Sequence, residues 1–291
     1  MILQHYLHDG WSAALEPVNG SLNLPAPLLV TGSAAGGLAH FATTNAMLAI
    51  AVFAVTAWIL IVPASDWGGL PARTAMGVGM ALCPVDPEVF GVVLYSFWWA
   101  SLWPLIILGW TRPNWAARVP LLVIAALSSP AAGSLFVLFA IRGHLRERRD
   151  DLISAGILAT GLAVEIAIAM TSGRAGHTSH NVMEIGQQIA RTAGVFVMPW
   201  TFGAERHWTA LTLLGLALTT ALIMGLRGLA PDRLPAALLA GGCALFALFS
   251  ALPAPLLSDP HDAGPRYYFL PFTALFWLLV HLAGAAGTDV R

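Results

Sequence analysis

Long apolar stretches constrain the fold of this chain more than any other feature. Hydrophobic residues make up 57% of its 291 residues and charged residues only 10%, whereas soluble proteins carry about a quarter charged residues. A membrane-spanning helix needs about 20 consecutive, mainly apolar residues. The sequence therefore predicts an all-α fold, a polytopic transmembrane helical bundle of roughly seven to eight membrane segments.

Apolar segments recur along the chain and alternate with polar connections. We predict one transmembrane domain over residues 1–291, with an outer loop and short helices in 1–42, membrane helices in 43–284 and no separate soluble domain. Residues 73–82 are short for a crossing unless the helix is tilted or extended by its flanks. The predicted segments are 45–63, 73–82, 90–110, 118–141, 152–170, 208–226, 234–252 and 268–284.

The segment 118–141 is interrupted at Ser128, Ser129 and Pro130, and both of its ends are basic. A re-entrant hairpin with both ends cytoplasmic explains this pattern, because broken backbone at membrane depth is tolerated when protein surrounds it. A single kinked crossing is the alternative.

Arginine supplies every basic side chain other than histidine, since the chain contains no lysine. Cytoplasmic loops of membrane proteins are enriched in basic residues, so we place the dense run 142–149 inside. The arginines that then lie inside are Arg73, Arg112, Arg118, Arg142, Arg146, Arg148, Arg149, Arg227, Arg233 and Arg291.

Acids, histidines and aromatic residues collect in the connections on the opposite, outer side. A carboxylate at a membrane surface can act as a general base toward a hydroxyl group or as a metal ligand. An isolated acid in a loop also has a simpler role, as a turn former or helix cap. The candidate residues in these connections are Asp9, Trp11, Glu16, Glu88, Arg174, His261, Arg266, Tyr267 and Tyr268.

Some chemistries are excluded by what the sequence lacks. Without lysine there is no Schiff-base nucleophile. No Gly-rich phosphate loop, HExxH or GxSxG motif is present. Cys83 and Cys243 lie in or beside apolar segments, so neither a disulfide nor a cysteine metal site is expected. Glu165 lies inside a predicted span, where an ionisable residue is either functional or hydrogen-bonded to a neighbouring helix.

Four short motifs, in this order, resemble those of the bacterial GT-C superfamily of integral membrane glycosyltransferases. The first is the acidic loop from Asp9-Gly-Trp11 to Glu16-Pro-Val-Asn-Gly-Ser-Leu. The second is Pro87-Glu-Val-Phe-Gly91 before an aromatic-rich span. The third is Leu127-Ser-Ser-Pro130, and the fourth is Arg266-Tyr-Tyr268 before the last span.

The resemblance implies transfer of a sugar from a polyprenyl-phosphate donor to a hydroxyl acceptor, a glycan or lipid, at the outer face of the bacterial inner membrane. Asp9 would be the base, and Glu16 or Glu88 would support it or hold a divalent cation, Mg or Mn. Arg266 or Arg174 would neutralise the leaving phosphate. Tyr267 and Tyr268 would position the donor or lipid, and Trp11 and His261 are further substrate-binding candidates.

The sequence also supports expectations about the N-terminus, about alternative functions and about partners. The resemblance implies an additional helix before the acidic loop, upstream of Met1. Two alternatives to an active glycosyltransferase remain. One, from another functional class, is a non-enzymatic transporter or flippase of a lipid-linked saccharide, and the other is an inactive, truncated family member. A nucleic-acid partner is not expected, because the net charge is −1.

Overall fold

The structure is a computed structural model that describes residues 2–17, 20–83, 88–112, 114–172, 183, 186, 213, 215, 234–251 and 268–286. Over these residues the chain forms helices and turns and no β-strand, which confirms the all-α prediction for this part of the chain. The described α-helices are α1 (Ile2–Asp9), α2 (Pro25–Ala35), α3 (Phe41–Ile61), α4 (Leu70–Ala81), α5 (Glu88–Gly91), α6 (Ser96–Leu108), α7 (Trp115–Ala126), α8 (Pro130–Ser134), α9 (Phe136–Leu145), α10 (Arg149–Thr171), α11 (Leu234–Ala251) and α12 (Phe269–Ala286).

The chain divides into two compact units. The first comprises Met1–Ala64 and Pro87–Ala175, and the second comprises Ser65–Asp86 and Gly176–Arg291. The single transmembrane domain expected over 1–291 stays a prediction.

Two of the described helices are long and apolar enough to cross a membrane, Leu38–Ile61 and Arg149–Thr171. Both belong to the first unit and both expose large apolar side chains, such as Met47 and Ile50 on α3 and Ile166 and Met170 on α10. Shorter apolar helices accompany them at Val93–Leu108, Trp115–Ala126, Pro130–Leu145, Leu234–Phe249 and Phe269–Gly284.

Helices α3 and α6 pack side by side and run in the same direction. Aromatic side chains from the α6 region fix this register by contacting α3 one turn after another. The contacts are Phe53 with Trp99 (5.2 Å between ring centroids), Thr56 with Trp103 (2.8 Å) and the Ile59 carbonyl with the Trp110 indole (3.3 Å).

The predicted segment 90–110 is interrupted near its start. Helix α5 ends at Gly91, Val92 is extended, and a 3-10 turn at Val93–Tyr95 precedes α6. The indole of Trp99 donates to the Val89 carbonyl at 2.7 Å, so an aromatic side chain satisfies an acceptor beside the break.

Helices α7, α8 and α9 form a helical hairpin, which is the arrangement predicted for a broken segment. Ser129 caps α8 by accepting from the Ala132 N–H at 3.3 Å, and its hydroxyl lies 2.9 Å from that of Ser101. Both ends of the hairpin meet at one side chain, because Arg118 and Arg142 each contact Asp151. A straight helix between these two arginines would separate them by about 36 Å, so the segment folds back on itself.

Small residues allow this hairpin to pack closely on α10. A Cβ atom added at Gly161 would lie 2.3 Å from the Ala126 Cβ, and one added at Gly133 would lie 2.8 Å from the Leu162 Cβ. Close helix approach through small residues is typical of helices that pack in membranes.

The second unit is described through α4, α11 and α12. Helix α12 packs against both α4 and α11. The Trp277 indole donates to the Met76 carbonyl at 3.2 Å, and His281 Nδ1 lies 3.0 Å from the Trp67 carbonyl. These contacts use side chains of the last described helix to hold residues 67–76.

Candidate functional site

Two acid–histidine pairs lie on the N-terminal segment, around the end of α1. The Asp9 carboxylate accepts from His8 Nδ1 at 2.6 Å, and the Glu16 carboxylate is paired with His5 Nδ1. His5 and Asp9 are four residues apart in α1 and therefore lie on the same helix face. Both carboxylate side chains are 40% exposed, so a substrate hydroxyl can reach them.

The Asp9 carboxylate changes the titration of its partner. The hydrogen bond to Asp9, and then the negative charge of Asp9, raise the pKa of His8 above its ordinary value of 6.5. The pair therefore remains an imidazolium–carboxylate pair at pH values where a free histidine is already neutral.

Trp11 shares this segment and is 60% exposed. Its ring meets Tyr6 edge-to-face, with 6.5 Å between centroids. Ala13 and Ala14 are buried and fix the segment that carries these groups. The structure thus brings together Asp9, Trp11 and Glu16, three of the residues singled out from the sequence.

The remaining candidates are described only in part. Arg174, His261, Arg266 and Tyr267 lie outside the described residues, and of Glu88 only the backbone, at the start of α5, is described. Tyr268 is buried in the second unit, with its ring centroid 5.3 Å from that of Phe272.

Among the described residues, no group of three or more histidine, cysteine or acidic side chains is arranged to hold a metal ion. Carboxylates and histidines of the N-terminal segment pair with one another instead. The divalent cation expected from the resemblance stays a prediction.

A third carboxylate, Glu165, lies within the apolar part of α10 and is only 1% exposed. The Ser21 hydroxyl donates to its Oε2 at 2.6 Å, and the Leu22 backbone N–H also faces the carboxylate. Its Oε1 has no hydrogen-bond partner within the described part of the chain. The sequence identified Glu165 as ionisable at depth but could not identify Ser21, which is 144 residues away along the chain.

The largest group of buried charges among the described residues was missed by the sequence analysis. Arg118 Nη2 donates to Asp151 Oδ1 at 2.6 Å, and Arg142 Nε lies 2.9 Å from Asp151 Oδ2. Arg118 also donates to Ser154, and Arg142 to the Trp110 carbonyl. All three charged side chains are buried, so these arginines are not the solvated loop residues that the orientation argument assumed.

We call this end of the first unit the arginine end. It is defined by Arg118, Arg142 and Asp151, and the remaining described arginines of the unit, Arg112, Arg146, Arg148 and Arg149, flank it in sequence. Arg148 donates to the Thr111 carbonyl at 2.7 Å. The signal for Asp151 was present in the sequence, as an acid in the first turn of an apolar helix that directly follows a basic run.

The second unit contains an apolar cavity of about 880 Å³ between α4 and α12. Leu70, Val78 and Leu82 line it from α4 and the residue that follows it, and Phe272 and Phe276 line it from α12. Gly79 allows the Phe276 ring to pack directly on α4, because an added Cβ would lie only 1.9 Å from a ring carbon.

Comparison of the chain with protein-family models, with curated proteins and with solved structures finds no match. The residues and their geometry are therefore the basis for the function proposed below.

Proposed function

We propose that the protein is a multi-pass protein of the bacterial inner membrane, with the arginine end in the cytoplasm and the Asp9–Glu16 segment on the outer side. Two observations support this. Helices α3 and α10 combine spanning length with exposed apolar side chains, and every described arginine of the first unit lies in or beside the arginine end.

We further propose that it is a GT-C-type glycosyltransferase that moves a sugar from a polyprenyl-phosphate donor to a hydroxyl acceptor. The observation that carries this proposal is the pairing of Asp9 with His8 and of Glu16 with His5 on one exposed segment beside Trp11. Exposed carboxylates, each hydrogen-bonded to a histidine, suit general base catalysis.

In this reaction the Asp9 carboxylate takes the proton of the acceptor hydroxyl as its oxygen bonds to the anomeric carbon of the sugar. The bond between that carbon and the donor phosphate oxygen breaks, and the polyprenyl phosphate leaves with the electron pair. Charge builds on this phosphate in the transition state, where a guanidinium group stabilises it. Arg266 and Arg174 are the residues proposed for that role.

The other candidates have supporting roles. Glu16 and Glu88 hold the acceptor or a divalent cation, and His261, Tyr267 and Tyr268 bind the donor. The cavity between α4 and α12 is lined almost entirely by apolar side chains, which suits a hydrocarbon chain.

A transporter or flippase of a lipid-linked saccharide is the second candidate, and Glu165 favours it. A buried carboxylate within a spanning helix, beside a broken helix, is typical of transporter binding sites. Such a protein would move labelled lipid-linked saccharide across a vesicle membrane without transferring the sugar.

Asp9→Asn tests the enzymatic proposal. With purified protein, a radiolabelled polyprenyl-phosphate sugar and an acceptor extract, we expect the variant to lose at least about 100-fold in transfer rate, because general base catalysis contributes about 10²–10⁴. Glu147→Gln is the matched control, since it neutralises an exposed carboxylate near the arginine end. Equal rates for Asp9→Asn and the unsubstituted protein would remove Asp9 from the mechanism.

Cysteine labelling tests the orientation. Leu7 and Leu145 are both exposed, and each is replaced by cysteine in a background carrying Cys83→Ser and Cys243→Ser. A membrane-impermeant maleimide added outside intact spheroplasts should label Leu7→Cys and not Leu145→Cys. Labelling of both, or of Leu145→Cys alone, contradicts the proposed orientation.

A further inference from the structure

Glu165 is the only acidic residue in α10 beyond its first turn. At 1.5 Å per residue it lies about 21 Å along the helix from Asp151 and about 9 Å from the end of the helix at Thr171. A buried carboxylate in apolar surroundings is costly and persists only with hydrogen-bond partners. The identity of those partners therefore indicates what Glu165 does.

The described partners of Glu165 come from residues 20–24, which we call the strap. Ser21 donates to Glu165 Oε2 at 2.6 Å and the Leu22 N–H faces the same carboxylate. Three residues on, the Leu24 N–H donates to the Leu127 carbonyl at the tip of the hairpin, at 3.0 Å. The strap is thus attached to α10 at one end and to the hairpin at the other.

The backbone of the strap bends at two residues. Gly20 and Asn23 have φ angles of +78° and +45°, in the left-handed region that glycine and asparagine tolerate best. The chain turns at both residues, so that the Ser21 hydroxyl and the Leu22 N–H both reach the carboxylate. The two left-handed residues thus place Ser21 and Leu22 against Glu165.

The strap directly follows the segment that carries the acid–histidine pairs. Glu16 precedes Ser21 by five residues, and an extended chain of that length spans at most about 17 Å. While Ser21 is bound to Glu165, the Glu16 carboxylate can therefore lie only within this distance of it. The same restriction reaches α1, because His5 on that helix is paired with Glu16. A released Ser21 removes this restriction.

We infer that Glu165 is a positioning residue, which ties the strap to α10 and so holds the Asp9–Glu16 segment in place over the outer part of the first unit. Its effect on catalysis rests on the proposed function, whereas the attachment itself does not. The carboxyl group suits this role because it accepts a hydrogen bond from the Ser21 hydroxyl and faces the Leu22 N–H as well. A glutamine retains one acceptor oxygen, and a leucine retains none.

Distance measurements between spin labels test the attachment without any assay of activity. Labels are placed at Leu15→Cys and Met170→Cys, both exposed positions of the first unit, in the full chain carrying Cys83→Ser and Cys243→Ser. We expect a narrow distance distribution in this background, and a distribution at least about twice as wide after Glu165→Leu. Ser21→Ala removes the donor hydroxyl at a half-buried position that tolerates the smaller side chain. This variant should also widen the distance distribution.

Two variants serve as controls. Glu165→Gln should restore a narrow distribution, because its amide oxygen still accepts from Ser21. Ser134→Ala deletes another buried hydroxyl of the first unit, one that donates only to the Ala131 carbonyl of its own helix, and should leave the width unchanged. An unchanged width after both Glu165→Leu and Ser21→Ala overturns the inference, and so does a Glu165→Gln variant as broad as Glu165→Leu.

Kinetics then separate positioning from substrate binding. Glu165→Leu should lower kcat for sugar transfer by at least about tenfold with the KM for the donor unchanged, and Glu165→Gln should recover most of this loss. A fall in donor affinity with unchanged kcat contradicts a positioning role. If the unsubstituted protein transfers no sugar, the proposed function fails, while the label distances still decide the attachment.

Discussion

Asp151→Asn is the substitution with the largest expected effect on stability. In the protein, one buried carboxylate faces two buried guanidinium groups, at 2.6 Å from Arg118 Nη2 and 2.9 Å from Arg142 Nε. The Arg118 guanidinium also stacks 5.7 Å from the Trp115 ring centroid and 5.5 Å from that of Phe139. Asparagine preserves the shape of the side chain but removes the only anion in this group.

The expected loss of stability follows from the two buried arginines that the substitution leaves without a counter-charge. The formal charge of the three-residue group rises from +1 to +2, and neither arginine can deprotonate in compensation. Breaking a buried ion pair by removing one partner costs about 3–5 kcal/mol. In a domain of 150–250 residues, each kcal/mol shifts Tm by about 2–4 °C, so the expected loss is about 6–20 °C.

Thermal unfolding in detergent, followed by tryptophan fluorescence, measures this loss. Asp150→Asn is the matched control, because Asp150 is adjacent in sequence and only partly buried, and its interaction with the helix dipole contributes at most about 1 kcal/mol. Replacing Arg118, Asp151 and Arg142 together by Met, Leu and Met should recover most of the lost stability, since apolar replacement of a buried ionic group is often neutral or favourable. A Tm for Asp151→Asn that matches Asp150→Asn would refute this account of the arginine end.

Two further predictions concern helix packing and pH. Gly161→Ala should destabilise the protein by about 1–3 kcal/mol in the same unfolding assay, because the new methyl group would overlap the hairpin. Gly156→Ala, where an added Cβ meets nothing within 4 Å, should instead be neutral or stabilising by up to about 1 kcal/mol. Hydrogen bonding to Asp9 raises the pKa of His8, so the ion pair is complete below the ordinary histidine pKa and is lost as pH rises through the raised value. As pH rises from the ordinary to the raised pKa of His8, the Asp9 carboxylate loses its cationic partner, so we expect the transfer rate to increase. Rates measured from about pH 5 to about pH 9 should show this increase for the unsubstituted protein and not for His8→Gln. A pH profile that His8→Gln leaves unchanged would contradict the role of the His8–Asp9 pair.

Apolar segments without interruption were predicted well. Segments 45–63, 152–170, 234–252 and 268–284 correspond to Phe41–Ile61, Arg149–Thr171, Leu234–Ala251 and Phe269–Ala286. In such segments helical hydrogen bonding satisfies every internal backbone group, so hydrophobicity and length alone identify the helix. The break at Ser128–Pro130 was equally visible, because proline removes a donor and serine caps the helix that follows.

Breaks that depend on tertiary contacts were not predictable. The interruption at Val92 lies in an apolar, aromatic-rich sequence that reads as one helix. It is accompanied by the Trp99 indole, which donates to the Val89 carbonyl. A side chain that satisfies the backbone from ten residues away leaves no local pattern.

The site was predicted in part for the same physical reason. Asp9, Trp11 and Glu16 are close in sequence, so their proximity on one segment could be expected. The pairing of Glu16 with His5 depends on the turn between α1 and residue 16, and the attachment of Ser21 to Glu165 depends on the fold of the first unit. Asp151 escaped notice because counting arginines to orient the helices treats them as solvated charges.

The shared carboxylate at the arginine end also sets an order for biosynthesis. Both hairpin arginines precede Asp151 in the chain, Arg118 by 33 residues, so they leave the ribosome before their counter-charge exists. Until Asp151 is synthesised, both arginines of the nascent hairpin lack this acidic partner. Asp151 then supplies the negative charge that both arginines share in the folded protein.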